Sequence, residues 1–227
     1  MQRKIIVIIG PSGSGKTRTT SELIDNLDRV AVFDLVRDGQ YTLDSKGRPR
    51  EGVIVVEGMP REYGRAIGLI DGEKDKFKVV YHPVKVGTLD NGLADCPEFG
   101  PIVRASHERG NMYLVVDEAH MLCNSFNCPP ELMNANLVGR HKEFSMILIA
   151  QRFNGVHPAI RENADEFYFW KIIQPASKKL VAEYCGDDVA EQVANLRAVE
   201  LDDNDKFKAP GQRLRWSKFR GVVEVTE

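Results

Sequence analysis

The sequence predicts a three-layer α/β fold with a mainly parallel central sheet, and two features of the chain support this prediction. Short runs of β-branched and aromatic residues alternate with stretches of helical periodicity, which is typical of a parallel sheet covered by helices. The runs at residues 5–9 and 146–150 are apolar throughout, as in strands that are buried on both faces. With 227 residues, the chain can bury a core without disulfides or a structural metal. We therefore expect a single domain over residues 1–227.

The individual elements follow from these periodicities. The predicted strands are residues 5–9, 30–33, 53–56, 77–81, 113–116, 146–149 and 167–173, with a further strand around residues 222–225. Two stretches, 15–27 and 183–199, place apolar residues on one face of a helix. Turn-forming residues between 36 and 60 predict loops there.

Composition excludes several classes of protein. Lys and Arg number 31 against 33 Asp and Glu, so the net charge of −2 gives no overall basic field. Contacts with nucleic acid must then come from local patches or from a ring of subunits. The longest apolar runs have five residues, whereas about 20 are needed to cross a bilayer. The N-terminus lacks the apolar core of a signal peptide, which predicts synthesis and retention in the cytosol.

The four cysteines do not form a recognisable metal site. Cys96, Cys123, Cys128 and Cys185 lack the spacing of zinc ligands and have no paired histidines nearby. We interpret them as reduced thiols that mostly contribute to packing.

The clearest motif directly follows the first predicted strand and matches G-x4-G-K-S/T at every fixed position. Its residues are Gly10, Pro11, Ser12, Gly13, Ser14, Gly15, Lys16 and Thr17. Its glycines allow backbone N–H groups to point at an anion, and the helix that begins here adds the positive end of its dipole. Lys16 then reaches the β- and γ-phosphates, and the Thr17 hydroxyl ligates Mg²⁺. The motif predicts binding of a nucleoside triphosphate.

Two carboxylates end another apolar strand. Residues 112–116 lead directly into Asp117 and Glu118. At the end of a strand the chain turns, so both side chains can reach the same site although successive strand residues point to opposite faces. We assign Asp117 to Mg²⁺ and Glu118 as the general base that polarises the attacking water.

A third core strand ends in an amide. Residues 145–150 lead into Gln151, where a sensor of the γ-phosphate or of the nucleophilic water would lie. Upstream of this strand, Arg140 offers a guanidinium that could stabilise charge on the phosphate of a neighbouring subunit. The alternative interpretations are that Gln151 is an ordinary surface amide and that Arg140 is an ordinary solvated arginine.

Together these stretches resemble the FtsK-HerA superfamily of ring-forming ATPases that pump DNA. The resemblance rests on residues 10–17, on residues 113–118 and on the segment from Gly139 to Asn163, in which an arginine, an apolar strand and a glutamine follow one another. The small size of the chain makes it most similar to the genome-packaging ATPases of tailless, internal-membrane bacteriophages of the tectivirus type.

This resemblance implies a three-layer P-loop NTPase fold of the RecA/ASCE-like type, with the Gln151 strand between the phosphate-loop strand and the Asp117 strand. It also implies ATP and Mg²⁺ as cofactors, Lys16 and Thr17 at the phosphates and metal, Asp117 on Mg²⁺, Glu118 as base, Gln151 as sensor and Arg140 as a finger in trans. If Arg140 does not act so, Arg152 or Arg161 is the expected finger.

The same resemblance implies a homo-hexamer with nucleotide between subunits and double-stranded DNA in the central channel. Capsid-vertex or packaging proteins would be further partners, and the chain would act in the host cytoplasm and the virion. Residues 36–110 are then a family-variable insert. Residues 206–227 form a basic-aromatic segment, which either contacts DNA or a partner or forms a final strand with charged outer positions.

Two other functions use similar residues and stay open. A phosphotransferase of the nucleotide-kinase kind has the same phosphate loop, but Glu118 suits activation of water better than transfer to an acceptor. A non-catalytic phage assembly or export factor would use nucleotide only to order its fold. A regulatory GTPase is disfavoured because the sequence has no N-K-x-D motif to recognise guanine.

Overall fold

The structure is a computed structural model that describes residues 3–37, 39–44, 46–58, 62–72, 75–84, 87–201 and 207–226. Most of the acidic stretch that precedes the basic-aromatic segment, together with Lys206, lies outside the described residues. None of the helices in the described ranges has the length and apolar character that crossing a bilayer requires.

The strands are β1 (Ile5–Ile9), β2 (Arg29–Phe33), β3 (Val53–Glu57), β4 (Phe77–His82), β5 (Gly87–Thr88), β6 (Ala94–Asp95), β7 (Tyr113–Val116), β8 (Ser145–Ala150), β9 (Glu166–Trp170), β10 (Glu200–Leu201), β11 (Phe207–Ala209), β12 (Arg213–Ser217) and β13 (Gly221–Thr226). The α-helices are α1 (Lys16–Ile24), α2 (Tyr63–Asp71), α3 (Phe99–Arg109), α4 (Pro130–Val138), α5 (Pro158–Asn163), α6 (Pro175–Cys185) and α7 (Asp187–Asn195). Three short 3₁₀ turns, at Ala119–Met121, Gly139–Lys142 and Phe153–Gly155, flank β7 and β8.

Nine strands form the central sheet, in the order β13-β12-β9-β1-β8-β7-β2-β4-β3. The seven strands from β9 to β3 are parallel to one another. Strand β12 pairs antiparallel with both β9 and β13. The predicted P-loop NTPase fold is therefore confirmed, and β8 lies between β1 and β7 as expected.

The two faces of the sheet are covered unequally. Buried residues of α2 to α7 form one apolar core with alternate strand residues such as Ile5 and Val7. On the other face, Ile6 and Ile8 pack in a smaller core with Ile24 of α1 and with Tyr41 from the loop after β2. Helix α1, which follows the phosphate loop, is thus the only described helix with a buried residue in this smaller core. The loop after β2 contributes to the same core through Tyr41.

Three predicted elements differ from the structure. The predicted helix over 15–27 is shorter, since α1 ends at Ile24. The predicted helix over 183–199 is instead parts of α6 and α7, which are separated by Gly186. Gly186 has φ of 104°, a backbone conformation that residues other than glycine disfavour, so the helix breaks there. Helix α7 ends where Leu196 becomes extended. The predicted strand over 167–173 is shorter, since β9 ends at Trp170.

Residues 36–110 continue the sheet as well as forming loops. Strands β3 and β4 lie in this stretch and extend the sheet beyond β2, while α2 and α3 pack against each other on one face. This part of the chain therefore forms one edge of the main sheet.

Candidate active site

The candidate site lies where the carboxyl ends of β1, β7 and β8 meet. The phosphate loop leaves β1, with Gly10 N donating to Ala150 O at 3.3 Å. Asp117 leaves β7, and its backbone N donates to Phe33 O at 3.0 Å. Because neighbouring parallel strands end at the same edge, residues far apart in sequence lie side by side here.

The phosphate loop turns tightly and leads directly into α1. The Lys16 side chain is only 5% exposed, and its Nζ donates to Pro11 O at 2.8 Å across the loop. Burial lowers the pKa of Lys16, and this effect is opposed by the charges of Glu118 and Asp117. The Ser14 hydroxyl is buried without a hydrogen-bond partner among the described residues. Donors gathered in this way suit an anionic ligand.

Asp117 is held from both sides. Its Oδ1 accepts a hydrogen bond from Glu118 N at 2.8 Å, and its Oδ2 accepts one from the Tyr41 hydroxyl at 3.0 Å. Oδ2 also lies 3.5 Å from Thr17 Oγ1. Burial and the nearby charge of Asp34 raise the pKa of Asp117 to about 6, against the effect of the Tyr41 hydrogen bond.

These oxygens fit a magnesium ion. Mg²⁺ in nucleotide sites is held by one or two protein oxygens together with phosphate oxygens. The Thr17 hydroxyl and the buried Asp117 carboxylate supply such oxygens beside the phosphate loop. A cation here would also offset the cost of burying this carboxylate.

Glu118 adopts an unusual backbone conformation, with φ of 49° and ψ of 45°. Non-glycine residues seldom occupy this left-handed region, and where they do the strain is often associated with function. The conformation turns the Glu118 side chain toward the end of β8. There Oε1 accepts a hydrogen bond from Gln151 Nε2 at 3.2 Å, while Oε2 lies 3.1 Å from His120 Nδ1.

The Glu118 carboxylate is kept ionised by these neighbours. Burial acts to raise its pKa, but the contacts with His120 and Gln151 and the charge of Lys16 outweigh burial and hold the pKa below its ordinary value. Glu118 is therefore available as a proton acceptor at neutral pH.

The structure thus brings together Lys16, Thr17, Asp117, Glu118 and Gln151. Arg140 lies elsewhere, exposed in the 3₁₀ turn that precedes β8. Because β1 and β8 are parallel, this position is at the amino edge of the sheet, opposite to the phosphate loop of the same chain. Arg140 therefore lies away from the phosphate loop of its own chain.

The two alternative finger candidates, Arg152 and Arg161, differ in their exposure to solvent. Arg152 directly follows Gln151 and is exposed. Arg161 is 4% exposed, its Nη1 donates to Phe153 O, and its Cζ lies 5.4 Å and 5.2 Å from the ring centres of Phe153 and Tyr184. Arg161 is therefore enclosed by its own chain, whereas Arg152 faces solvent.

Sequence reasoning missed two residues of the site, His120 and Tyr41. His120 comes two residues after Glu118, and this closeness is a signal that could have been used. Tyr41 reaches Asp117 from a loop that is distant in sequence, and no local pattern marks it.

A cavity of about 1010 Å³ opens beside the phosphate loop. Its walls come from that loop and α1, from Glu118, and from the segment between Val36 and Arg50. Cavities of about 300 to 1,000 Å³ are typical of ligand sites, so this one is large enough for a nucleotide.

The described part of the basic-aromatic segment includes β12 and β13, which form one edge of the main sheet. Of the cations in this segment whose side chains the structure describes, most are engaged within the chain, since Arg215 pairs with Glu166 at 2.9 Å and Lys218 Nζ donates to Glu162 O at 2.9 Å. Arg213 donates to Thr19 of α1. At the turn between β12 and β13, Phe219 is 81% exposed and Arg220 is exposed as well.

No protein-family model and no functionally curated protein matches the sequence. Solved structures, in contrast, match over nearly the whole chain. The genome packaging NTPase B204 from Sulfolobus turreted icosahedral virus 2, in complex with AMPPCP, has a TM-score of 0.69 at 16% identity and covers 99% of this chain and 97% of its own. B204 from Sulfolobus turreted icosahedral virus, described as a DNA-packaging ATPase, has a TM-score of 0.65 at 18% identity, with 100% and 98% covered.

A more distant likeness is to VirB4 of Thermoanaerobacter pseudethanolicus, with a TM-score of 0.55 at 13% identity, covering 98% of this chain and 89% of that one. At these identities the likeness establishes the fold. The resemblance that the motifs indicated is confirmed at that level, since the structural neighbours include viral packaging NTPases.

Proposed function

We propose that this chain is an ATPase that couples ATP hydrolysis to the movement of double-stranded DNA, as in packaging a viral genome into a preformed capsid. The observation that carries the proposal is the convergence of Lys16, Thr17, Asp117, Glu118 and Gln151 at one edge of the sheet. The fold shared with B204, a genome packaging NTPase solved with an ATP analogue, supports it.

The chemistry follows from the positions of these groups. Loop N–H groups and Lys16 bind the β- and γ-phosphates and hold the triphosphate in place. Thr17 and Asp117 would hold Mg²⁺, which supplies charge neutralisation at the phosphates. Glu118 accepts a proton from water as the water oxygen bonds to the γ-phosphorus and the bond to the ADP oxygen breaks. Gln151 orients the Glu118 carboxylate through its hydrogen bond.

The proposed role of Arg140 requires an assembly of several subunits. It lies at the amino edge of the sheet and is exposed, so we assign it to the phosphate site of a neighbouring subunit. A ring of six subunits with DNA in its channel provides such a neighbour for every site. In this proposal the chain works at the packaging vertex of the virion, after synthesis in the host cytoplasm, and it meets capsid or packaging proteins there.

The test is nucleotide turnover by the purified chain with and without double-stranded DNA. We expect DNA to stimulate turnover, Lys16→Ala to lose ATP binding, and Glu118→Gln to bind ATP but hydrolyse it about 10² to 10⁴-fold more slowly. Stimulation by a small phosphate acceptor instead of DNA would indicate a phosphotransferase. Negligible turnover under all conditions would indicate an assembly factor, and either result contradicts the proposal.

A further inference from the structure

An aromatic side chain stands out from the surface in the loop that follows Glu118. Phe126 is 90% exposed, and it lies in the connection between β7 and α4. The loop around it is ordered by hydrogen bonds, since Asn124 Oδ1 accepts from the backbone N of Phe126 and of Asn127, both at 2.9 Å. Asn124 N in turn donates to Asn127 O at 2.8 Å. This hydrogen-bonded turn therefore keeps the Phe126 ring exposed to solvent.

This loop is joined to the segment that follows Gln151. Ser125 Oγ donates to Asn154 O at 2.6 Å. Closer to the site, Gly155 packs against the side chain of His120. The first loop directly follows Glu118 and the second begins at Gln151, and these two residues are hydrogen-bonded at 3.2 Å. The two loops therefore form one unit attached to the candidate base. We refer to residues 119–130 and 151–160 as the loop pair.

The loop pair has an unusual distribution of charge. Between the flanking acids Glu118, Glu131 and Glu162 it contains no Asp or Glu, although the whole chain has 33 of them in 227 residues. It carries an exposed arginine, Arg152, and its other polar residues are mainly amides and hydroxyls, such as Asn124 and Asn154. Loops that carry no carboxylate of their own and combine hydrogen-bond donors, a cation and an aromatic ring are complementary to the phosphates and sugars of a nucleic acid.

We propose that the loop pair is the surface with which each subunit contacts double-stranded DNA, and that Phe126 is its central contact. This rests on the proposed function, because it assigns the DNA partner of that function to one surface. Arg152 and the amide groups contact the phosphodiester backbone, and the Phe126 ring packs against sugars in a groove. Displacement of the loop pair on DNA changes the position of Glu118 through His120 and Gln151, which makes hydrolysis responsive to DNA.

The experiment compares Phe126→Ala with Phe219→Ala in the full-length chain. Both variants remove an exposed phenyl ring, but Phe219 lies in the turn between β12 and β13, in the basic-aromatic segment. Binding of a fluorescein-labelled mixed-sequence duplex is measured by anisotropy, and ATP turnover is measured with and without the same unlabelled duplex. We expect Phe126→Ala to weaken DNA binding about tenfold and to lose most of the DNA stimulation, with DNA-independent turnover unchanged.

A third variant tests the coupling. Ser125→Ala removes the hydrogen bond to Asn154 while leaving the Phe126 ring, so we expect DNA binding to persist and DNA stimulation to fall. Phe219→Ala is expected to behave like the unmodified chain. The proposal is overturned if Phe126→Ala binds DNA and responds to it normally, or if Phe219→Ala alone loses both. Failure of the proposed function appears differently, as an unmodified chain that neither binds the duplex nor responds to it, and this result overturns the site as well.

Discussion

The side chain of His120 packs directly against the backbone of Gly155. A methyl group at residue 155 would come within 2.7 Å of His120 Cβ, a separation that van der Waals contacts do not allow. The close approach joins the 3₁₀ turns that follow β7 and β8. It also fixes the His120 ring, whose Nδ1 lies 3.1 Å from Glu118 Oε2. The position of the candidate base thus depends on a residue that never touches it.

Gly155→Ala should therefore impair hydrolysis. The added methyl group displaces His120, and we expect kcat to fall by about tenfold to a hundredfold, since small misplacements of catalytic groups have effects of this size. KM should change little because the phosphate loop is untouched. Gly68→Ala is the control, since it adds the same methyl group in α2 with no atom within 4 Å. Steady-state kinetics in which both variants behave alike would refute the role of this contact.

Tyr41→Phe should destabilise the chain. It removes the hydroxyl that donates to Asp117 Oδ2 at 3.0 Å, and a hydrogen bond to a buried charged group contributes about 1.5 to 3 kcal/mol. We expect the free energy of unfolding, measured by urea denaturation, to fall by about this amount. Tyr63→Phe on α2 is the control, because Tyr63 is 37% exposed. Equal stability of the two variants would show that the Tyr41 hydrogen bond makes no net contribution.

Arg140→Ala should still bind ATP but hydrolyse it poorly. An arginine that acts in trans supplies about 10³ to 10⁵ in rate, and Arg140 lies away from its own phosphate loop. Mixing this variant with Lys16→Ala should restore part of the activity, because Arg140 of one variant can then act on the intact site of the other. Arg220→Ala, a change of an exposed arginine at the turn after β12, should be without effect.

If Arg140→Ala hydrolysed ATP at the wild-type rate, another arginine would have to act as the finger. Arg152 is exposed and is then the candidate, whereas Arg161 is enclosed by Phe153 and Tyr184. Failure of the mixed variants to show more activity than either alone would contradict action between subunits.

The stability of the fold should depend on pH through His82. His82 Nε2 lies 3.2 Å from Asp34 Oδ2, and His82 Nδ1 lies 2.9 Å from Glu57 Oε1. Asp34 raises the pKa of His82 above its ordinary value of 6.5, and Glu57 adds to this effect, while burial opposes both. Arg37, the nearby cation, pairs with Glu57 and donates to His82 O.

Because the pKa is raised on folding, protonated His82 contributes its full stabilisation below about pH 6.5 and loses it as pH rises through the folded-state pKa. Thermal unfolding across this range should show stability falling with pH, and His82→Gln should reduce this dependence. His141→Gln changes an exposed histidine and should leave it intact. A pH dependence that is the same in all three proteins would exclude His82 as its source.

Much of the site could be predicted because its residues follow strands that the sequence marks clearly. Strands β1 and β7 are continuous apolar runs, and β8 is apolar after its first residue, Ser145. The residues that follow these strands meet because parallel strands end at one edge of the sheet. The break at Gly186 was missed because the apolar periodicity continues on both sides of it. Tyr41 and His82 could not be found in this way, since their partners are set by packing between distant segments and not by any local pattern.

The place of β1 in the sheet has a consequence for how the chain folds. Both of its neighbours are made late, since Ile5 lies opposite Met146 and Ile6 opposite Glu166. During synthesis the phosphate loop is translated well before β8 and β9, so its supporting strand has no partners until these two strands have left the ribosome. Contacts that span about 140 to 160 positions close large loops and slow folding. Affinity for nucleotide should therefore be acquired late in folding, only after β9 has been made and has paired with β1.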